Sequence, residues 1–287
     1  MKRRLHILIS VIFAGFLLAG CAAGKIRVVT GDLSGNITWS DRVAIHGDIV
    51  LEEGSVLTIA PGTEVVFFPA GARDLYVDHP NFPGSELIIR GRIVADGTRE
   101  RPITFRFADP AAPAGSWGGI NLAGSQESSF SFTRFQQANS AIHSQESTLY
   151  IEQSIFEKNL VAIRFHSSKI LIENNLIRNN GSGIRFHFGA PVICKNKIID
   201  NGKGLFITSH PRDYRVENNT FSGNDRNVVL GEEVPENVTL TNNFWGSVDA
   251  ESIRHSFFDG QVESYLGKVI FEPLRAEPDP NSGVQWK

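Results

Sequence analysis

The feature that most constrains the fold of this chain is an internal repeat of 21 residues. Four consecutive segments start with a small residue followed by apolar ones, at Ala141, Ala162, Gly183 and Gly204. A further copy starts at Asn227 and a weaker one at Gly119. Ordering 21 residues costs on the order of 30 kcal/mol, whereas each inward side chain returns about 2 kcal/mol. A single copy cannot stand alone, so the repeat predicts a solenoid of stacked copies.

Each copy contains pulses of apolar residues that predict three short β-strands. In the copy from Gly183 the strands are expected at 184–188, 192–195 and 197–200, separated by turns. Alternation along the first strand places three residues in one inward column: Ile163, Ile184 and Leu205. The second strand predicts another inward column, made of Ile151, Ile172, Cys194, Val216 and Leu240. Cys194 is thereby interpreted as a small apolar side chain in a stack, not as a reactive thiol.

Asparagines recur at fixed positions in the repeat and predict a structural ladder. One set is expected to stack at the same bend of successive copies: Asn174, Asn196, Asn218 and Asn242. A second set comprises Asn159, Asn180 and Asn224. Stacked amides can satisfy backbone groups that the bend would otherwise bury without partners. Both sets are therefore predicted to be scaffold.

Three strands in each turn of about 21 residues, with an Asn ladder, resemble the right-handed parallel β-helix of pectate lyases and many surface and periplasmic proteins. The N-terminal segment "VAIHGDIVLEEGSVLTIAPGTEVVF" resembles the entry turns of bacterial β-helix repeat proteins, and "NNFWGSVDAESIRHSFFDG" resembles their exit. The resemblance implies an all-β chain with one right-handed parallel β-helix of about eight or nine coils over residues 31–247. It does not specify a function, because this fold carries lyases, hydrolases, adhesins and spacers alike.

A β-helix must cover its terminal strands, since open edges pair with other chains. Residues 248–287 are predicted to form this cap and a Pro-rich tail. A short helix is expected in "SVDAESIRHSFF", with Ser247 or Asp249 as its N-cap, and with Ile253, Phe257 and Phe258 facing the last coil. The tail from Glu272 is expected to be loosely ordered, with Trp286 as a residue that could dock.

The N-terminus predicts an export signal and a lipid anchor. Lys2, Arg3 and Arg4 precede an apolar stretch that is too short for a comfortable membrane span, so residues 1–20 are interpreted as a signal peptide. The ending Leu-Ala-Gly-Cys21 resembles the lipobox of bacterial lipoproteins, which implies lipidation of Cys21 and a linker over residues 21–30. Because Ala22 follows the cysteine, the resemblance implies sorting to the outer membrane of a Gram-negative bacterium.

The charge balance argues against nucleic acid as a partner. Without the three basic residues of the leader, the chain keeps 25 basic against 31 acidic residues, a net charge of about −6. Non-specific nucleic-acid binding requires a basic surface. The predicted partners are instead the membrane, through the lipid, and a polysaccharide or an envelope protein.

A strip of basic and titratable residues is the leading candidate for a binding site. The first strand of two successive copies reads Ile-Arg-Phe-His, which stacks Arg164 on Arg185 and His166 on His187, with His143 beside Arg164. Side-by-side arginines suit the carboxylate, sulfate or phosphate groups of a polymer, because the guanidinium group binds such anions through two hydrogen bonds. The structural alternative is that these arginines pair with acids on the adjoining strand.

Three histidines on adjacent copies, His143, His166 and His187, could share a transition metal. The sequence offers no compelling further ligand, so no metal and no cofactor are predicted. At the level of fold, the chain resembles periplasmic β-helix proteins of copper-enzyme maturation. Calcium or another divalent ion is expected only if the chain is a lyase or a metal-binding protein.

Catalysis would need acidic residues that the strip lacks. The best acidic cluster is the insertion "GARDLYVDHPNFPG", where Asp74, Asp78 and His79 are the catalytic candidates. Asp and His in a Pro/Gly-rich loop are also common turn formers. The leading hypothesis is therefore a non-catalytic, lipid-anchored module that binds polysaccharide. The alternatives are a lyase or hydrolase acting on acidic glycans and a structural partner in an envelope assembly.

Overall fold

A computed structural model describes residues 26–69, 71 and 82–286 of the chain. These residues form a right-handed parallel β-helix of about nine coils with a single short helix near the C-terminus, which confirms the predicted fold class. Within the described ranges, no helix is long and apolar enough to cross a membrane. Cys21, Asp74, Asp78 and His79 lie outside the described residues.

The first sheet runs the length of the solenoid and carries the Arg and His residues of interest. Its strands are Ile26–Leu33, Arg42–Leu51, Glu86–Ile89, Trp117–Ala123, Ala138–Gln145, Val161–His166, Ser182–His187, Lys203–Ser209, Arg226–Glu233 and Phe257–Phe258. All neighbours in this sheet pair in parallel.

Two further sheets complete the cross-section of each coil. The second sheet comprises Asn36–Trp39, Val56–Ile59, Arg92–Asp96, Ser128–Ser131, Thr148–Glu152, Lys169–Glu173, Ala190–Cys194 and Arg215–Glu217. The third comprises Glu64–Phe67, Ile103–Phe107, Thr133–Gln136, Ile155–Glu157, Leu176–Arg178, Lys197–Ile199 and Thr220–Ser222. The first and third sheets share the long strand Arg42–Leu51, which bends from one to the other. Two short strands, Val238–Thr239 and Val269–Ile270, pair separately.

The core is a set of columns in which equivalent residues of successive coils stack. Ile163, Ile184 and Leu205 pair in register and are fully buried, as predicted. Phe165 stacks on Phe186 with ring centroids 4.9 Å apart. Parallel strands lie about 4.8 Å apart, so the ring spacing follows directly from the strand pairing. The repeat therefore sets both the backbone register and the apolar stack.

The main Asn ladder lies one residue beyond most of the predicted positions. The side chains that bond from coil to coil are those of Asn175, Asn196, Asn219 and Asn243. Asn196 was predicted correctly, whereas the assignments of Asn174, Asn218 and Asn242 to the ladder were wrong. These three residues occupy the preceding left-handed turn position, with φ between 55° and 59°. Asn tolerates this conformation better than most residues, so the first Asn of each pair makes the turn and the second builds the ladder.

Cys194 does not belong to the inward column of the second sheet. Ile193 pairs with Ile172 and Val216 in that column, while Cys194 pairs with Glu173 and Glu217 on the outward side. The thiol is nevertheless largely covered, and burial raises its pKa. Cys194 is thus a covered thiol of the outer surface, and its predicted place in the apolar stack was wrong.

The second Asn ladder runs along another edge of the solenoid, as predicted. Asn159 donates to Asn180, Asn180 to Asn201, and Asn201 to Asn224, each at 2.9 to 3.0 Å. Asn201 is a member that the sequence analysis left out. The amides of Asn159, Asn180 and Asn201 each also donate to a backbone carbonyl of their own bend.

The C-terminal cap forms largely as expected. The helix spans Ala250–His255, and the side chain of its N-cap, Asp249, accepts a hydrogen bond from Ser252 N. Ile253 is buried, and the strand Phe257–Phe258 pairs with Arg226–Glu233 to cover the last coil. At the other end, the first strand begins at Ile26, five residues before the expected start of the β-helix.

The tail after Glu272 is not loosely ordered, which corrects that prediction. Trp286 is 4% exposed, donates its indole N–H to Gln153 O at 2.6 Å, and lies under the guanidinium group of Arg134. Gly283 N donates to Lys195 O at 2.7 Å. The tail is therefore packed along the outside of the middle coils.

Candidate functional site

The candidate site lies on the outward face of the first sheet. Strand pairing places His143, Arg164 and Arg185 in one column, and His166 and His187 in the next. The outward and inward residues alternate along each strand, so the buried Phe165 and Phe186 lie between the two columns. The predicted columns are thus present, and the structure brings all five predicted ligand-binding residues onto one face.

The two arginines contact aromatic rings. Arg164 lies over the ring of Phe82, and Arg185 lies over the ring of Phe206, each at 5.1 Å from the centroid. Cation–π contacts of this kind hold a guanidinium group in place without neutralising its charge. Because Phe82 and Phe206 hold the two arginines, the geometry presents them as an ordered pair of cations.

Neither arginine forms an ion pair with any of the described residues. The Nε atom of Arg164 is also buried, and it has no hydrogen-bond partner among the described residues. Burial, together with the neighbouring charge of Arg185, lowers the pKa of Arg164 to about 10. Arg164 therefore remains a cation at neutral pH, but in surroundings that disfavour its charge. This arrangement differs from the structural alternative in which the arginines would pair with acids on the adjoining strand.

The two histidines stack on each other at the edge of the arginine column. The ring centroids of His166 and His187 are 5.1 Å apart with an interplanar angle of 13°. His187 Nε2 lies 3.7 Å from Glu233 Oε2, and its Nδ1 lies 3.3 Å from Thr208 Oγ1. Among the described residues that line the site, Glu233 thus supplies one carboxylate, at the far end from Arg164.

The third histidine, His143, lies in a buried polar cluster at the other end of the site. His143 is 5% exposed, and its Nδ1 lies 3.0 Å from Asn121 Oδ1. The edge of the Phe82 ring covers it, with centroids 5.3 Å apart. His143 therefore contributes to the floor of the site rather than to its open surface.

A buried carboxyl group beside Asn121 was missed by the sequence analysis. Glu86 is 1% exposed and accepts a hydrogen bond from Phe82 N at 2.8 Å. Burial raises its pKa to about 8, the N–H of Phe82 opposes the rise, and the nearby carboxylate of Asp48 adds to it. The side chain lies against Gly118, where a Cβ would collide with it. Glu86 lies two residues after the insertion, and the equivalent positions of the next two coils are Gly119 and Ser140, so periodicity could not reveal a carboxyl group there.

A groove of about 350 Å³ opens over these residues. It is lined by His143, Arg164, Phe165, His166, Arg185, Phe186, His187, Thr208 and Glu233. Ligand sites of small molecules and sugars usually have volumes of this order or larger. With two imidazoles and two guanidinium groups that have no ion pair among the described residues, the groove is suited to bind an anion.

The described residues offer a poor fit to a metal centre. No group of three or more His, Cys, Asp or Glu side chains among them is placed to hold an ion. His166 and His187 supply two imidazoles, while His143 is buried under Phe82 and Cys194 lies on the second sheet. Transition-metal sites in proteins ordinarily use three or four such ligands. The described residues of the groove therefore do not by themselves assemble a set of ligands that fits a transition metal.

Comparison with known proteins identifies a family. The model of the family described as periplasmic copper-binding protein (NosD) matches residues 111–260, which include the five site residues and the most regular coils. No curated protein and no solved structure gives a match to the chain. The family match covers just over half of the 287 residues and agrees with the β-helix described above. The chain belongs to the NosD family of β-helix proteins.

Proposed function

We propose that this chain is a non-catalytic module of the cell envelope that binds an acidic polysaccharide through the strip of Arg164, Arg185, His166 and His187. One observation carries the proposal: two ordered guanidinium groups face a groove without a carboxylate partner among the described residues. Unpaired, partly buried cations cost stability unless a ligand supplies the missing anion.

The spacing of the cations favours a polymer with repeated acidic groups. Paired parallel strands place Arg164 and Arg185 about 4.8 Å apart at their Cα atoms. Each guanidinium group can donate two parallel hydrogen bonds to a carboxylate or a sulfate, and such charge-assisted bonds are among the strongest in proteins. Two neighbouring acidic groups on one ligand would therefore engage both arginines together.

The acid composition of the groove supports binding over hydrolysis. Glycoside hydrolysis ordinarily requires two carboxyl groups on opposite sides of the scissile bond. Glu233 is the one carboxylate among the described residues that line the groove. It is also exposed and already lies near His187. This set of side chains is suited to hold a sugar acid and lacks the paired carboxyl groups of a glycosidase.

We place the chain in the cell envelope as an outer-membrane lipoprotein. The family is described as periplasmic, and the leader with its lipobox-like ending at Cys21 agrees with export. Mass spectrometry of the N-terminal peptide from the bacterial membrane tests the anchor. A diacylglyceryl group on Cys21 is expected, and an unmodified or absent cysteine would contradict the assignment.

The copper in the description of the family does not enter this proposal. The described residues do not assemble a set of ligands that fits the ion, and the cations in the groove would repel it. Addition of Cu²⁺ is therefore expected to leave glycan binding unchanged. A stoichiometric copper complex that competes with the glycan would contradict the proposal.

The test is binding of the protein to an array of acidic and neutral glycans, beside a variant with Arg164, His166, Arg185 and His187 all changed to Ala. Arg215→Ala is the matched control, because it removes one exposed cation from the second sheet. We expect binding to acidic glycans that is lost in the fourfold variant and kept in the control. Absence of binding by the wild-type protein would contradict the proposal and direct attention to an envelope protein as partner. Cleavage of a bound glycan would make the chain an enzyme.

A further inference from the structure

In four consecutive coils, the residue that follows the strand of the first sheet occupies a left-handed turn, and in one of them this residue is aromatic. The equivalent positions are Gly124, Glu146, Ser167 and Phe188, with φ between 48° and 66°. The backbone hydrogen bonds repeat as well, since each of the first three N–H groups donates to the carbonyl oxygen that ends the next strand. The fold thus imposes the left-handed conformation, while the choice of side chain is free.

Phe is a costly choice for this position. A bulky side chain disfavours the left-handed region, where Gly and Asn are ordinarily found. Burial does not compensate for the cost, because Phe188 is 40% exposed. Backbone strain that is not explained by packing is concentrated at ligand-binding sites.

The next position in the same coil also departs from its pattern. A serine ladder runs through Ser125, Ser147 and Ser168, in which each backbone N–H donates to the hydroxyl of the next coil. The ladder ends at Gly189, where a Cβ would lie 2.8 Å from Ser168 O. Two adjacent departures from the repeat, Phe188 and Gly189, therefore fall at one point beside the strip.

Phe188 separates the strip from a second groove. Its ring lies edge-on to His187, with centroids 4.5 Å apart, and so borders the first groove. On its other side lies a groove of about 450 Å³. That groove is lined by Ser167, Ser168, Lys169, Phe188, Gly189, Ala190 and Arg212. Neither Lys169 nor Arg212 forms an ion pair within the described part of the chain.

We propose that Phe188, Lys169 and Arg212 form a second subsite, so that an acidic polysaccharide crosses the turn from the strip and rests on the Phe188 ring. This inference rests on the proposed function and adds the path of the ligand. The polymer would lie along the strand direction, because His187, the last residue of strand Ser182–His187, lines the first groove and the next residue, Phe188, lines the second. Exposed aromatic rings offer an apolar face to a sugar and a fixed surface of low conformational entropy.

The test compares a trimer and a hexamer of galacturonate by calorimetry with the full chain. Phe188→Ala and Arg212→Ala should each lower the affinity for the hexamer about 5- to 10-fold and leave the affinity for the trimer unchanged. Phe188→Tyr should restore hexamer binding, since it keeps the ring. Glu146→Gly is the matched control, because it relieves the same turn two coils earlier without removing an aromatic ring.

A further variant separates binding from folding. Phe188→Gly should keep the midpoint of urea unfolding, since relief of the left-handed strain offsets the lost ring contact, and yet weaken hexamer binding. Hexamer affinity that is insensitive to Phe188 and Arg212, while Arg164→Ala with Arg185→Ala abolishes binding of both oligomers, would overturn the second subsite alone. Wild-type protein that binds neither oligomer and no acidic glycan of the array would overturn both the subsite and the proposed function.

Discussion

The charged residues on the outward faces of the first and third sheets differ in their ion-pair partners. On the third sheet, Glu64 bridges Arg42 and Arg106 at 3.1 and 2.6 Å, and Glu157 pairs with Arg178 at 2.9 Å. On the first sheet, the cations and the buried acid remain apart. Arg164 and Arg185 have no ion pair among the described residues, and Glu86 is buried with its pKa raised to about 8.

Within the described part of the chain, acids therefore neutralise several arginines of the third sheet, whereas Arg164 and Arg185 of the first sheet have no acid partner. Both faces have the same strand spacing, so the difference does not come from the fold. Groups whose protonation is shifted by burial and by like charges are concentrated at functional sites. Under the proposed function, the first sheet is less stable than it could be because it is built to bind a ligand, and variants of both sheets can test this.

The largest expected effect concerns Glu86. Its native pKa of about 8 lies above the ordinary value of 4.5, so the folded protein holds a proton that the unfolded chain releases in this window. The stabilisation is complete below pH 4.5 and is lost as the pH rises through 8, on the order of 5 kcal/mol in total. Glu86→Gln should remove this fall in the free energy of unfolding, measured by urea titration from pH 5 to 9.

Glu157→Gln serves as the comparison on the third sheet, where the acid is paired with Arg178. It should leave the pH-dependent fall in place. Equal slopes for wild-type protein and Glu86→Gln would show that the first sheet holds no strained acid.

The second prediction concerns ligand binding. Arg164→Ala with Arg185→Ala should weaken binding of an acidic oligosaccharide about 100-fold, because two charge-assisted contacts are lost together. Arg42→Ala with Arg178→Ala removes the same charge from the third sheet and should leave the Kd within about twofold. Calorimetry at one ionic strength measures both. Similar losses in the two double variants would mean that net charge, not the strip, attracts the ligand.

The third prediction concerns the free energy of unfolding, on which arginine substitutions in the two sheets should have opposite effects. Arg106 is largely buried and donates to Glu64 and to two backbone carbonyls, so Arg106→Ala should cost about 2 kcal/mol. Arg164→Met should instead raise the free energy of unfolding, by no more than about 1 kcal/mol because solvent screens the exposed part of the side chain. Urea unfolding at pH 7 measures both, and destabilisation by Arg164→Met would contradict the account.

The smallest effect is expected at the exposed pair of the third sheet. Arg178 is 42% exposed, so its removal should cost only about 0.5 kcal/mol despite the short distance to Glu157. The effect should shrink further in high salt, since exposed ion pairs are screened. A loss that is independent of salt would mean that packing of the arginine stem, rather than charge, stabilises this face.

The fold could be predicted from the sequence because a 21-residue period leaves few alternatives. Strict use of the same period would also have placed correctly the residues that were misplaced. Adding 21 to Ile151 and Ile172 leads to Ile193, not to Cys194. The dipeptide Lys195-Asn196 contains a single Asn, and it shows that the second residue of each Asn pair builds the ladder.

The site could be predicted only where it follows the repeat. The columns of Arg164 with Arg185 and His166 with His187 result from alternation alone. Phe82 lies within the insertion, Glu86 lies just after it, and the docked Trp286 follows the last coil, so no repeated pattern places them. Their positions depend on tertiary contacts between distant segments, which periodicity does not encode.

NMR of the arginine Nε–H groups during titration with a galacturonate hexamer tests most directly whether Arg164 and Arg185 form the binding site. The account predicts that the signals of Arg164 and Arg185 shift together and saturate with one Kd, while those of Arg106 and Arg178 remain in place. Unchanged signals of Arg164 and Arg185, or equal shifts on the third sheet, would contradict the claim that the unpaired arginines form the binding site.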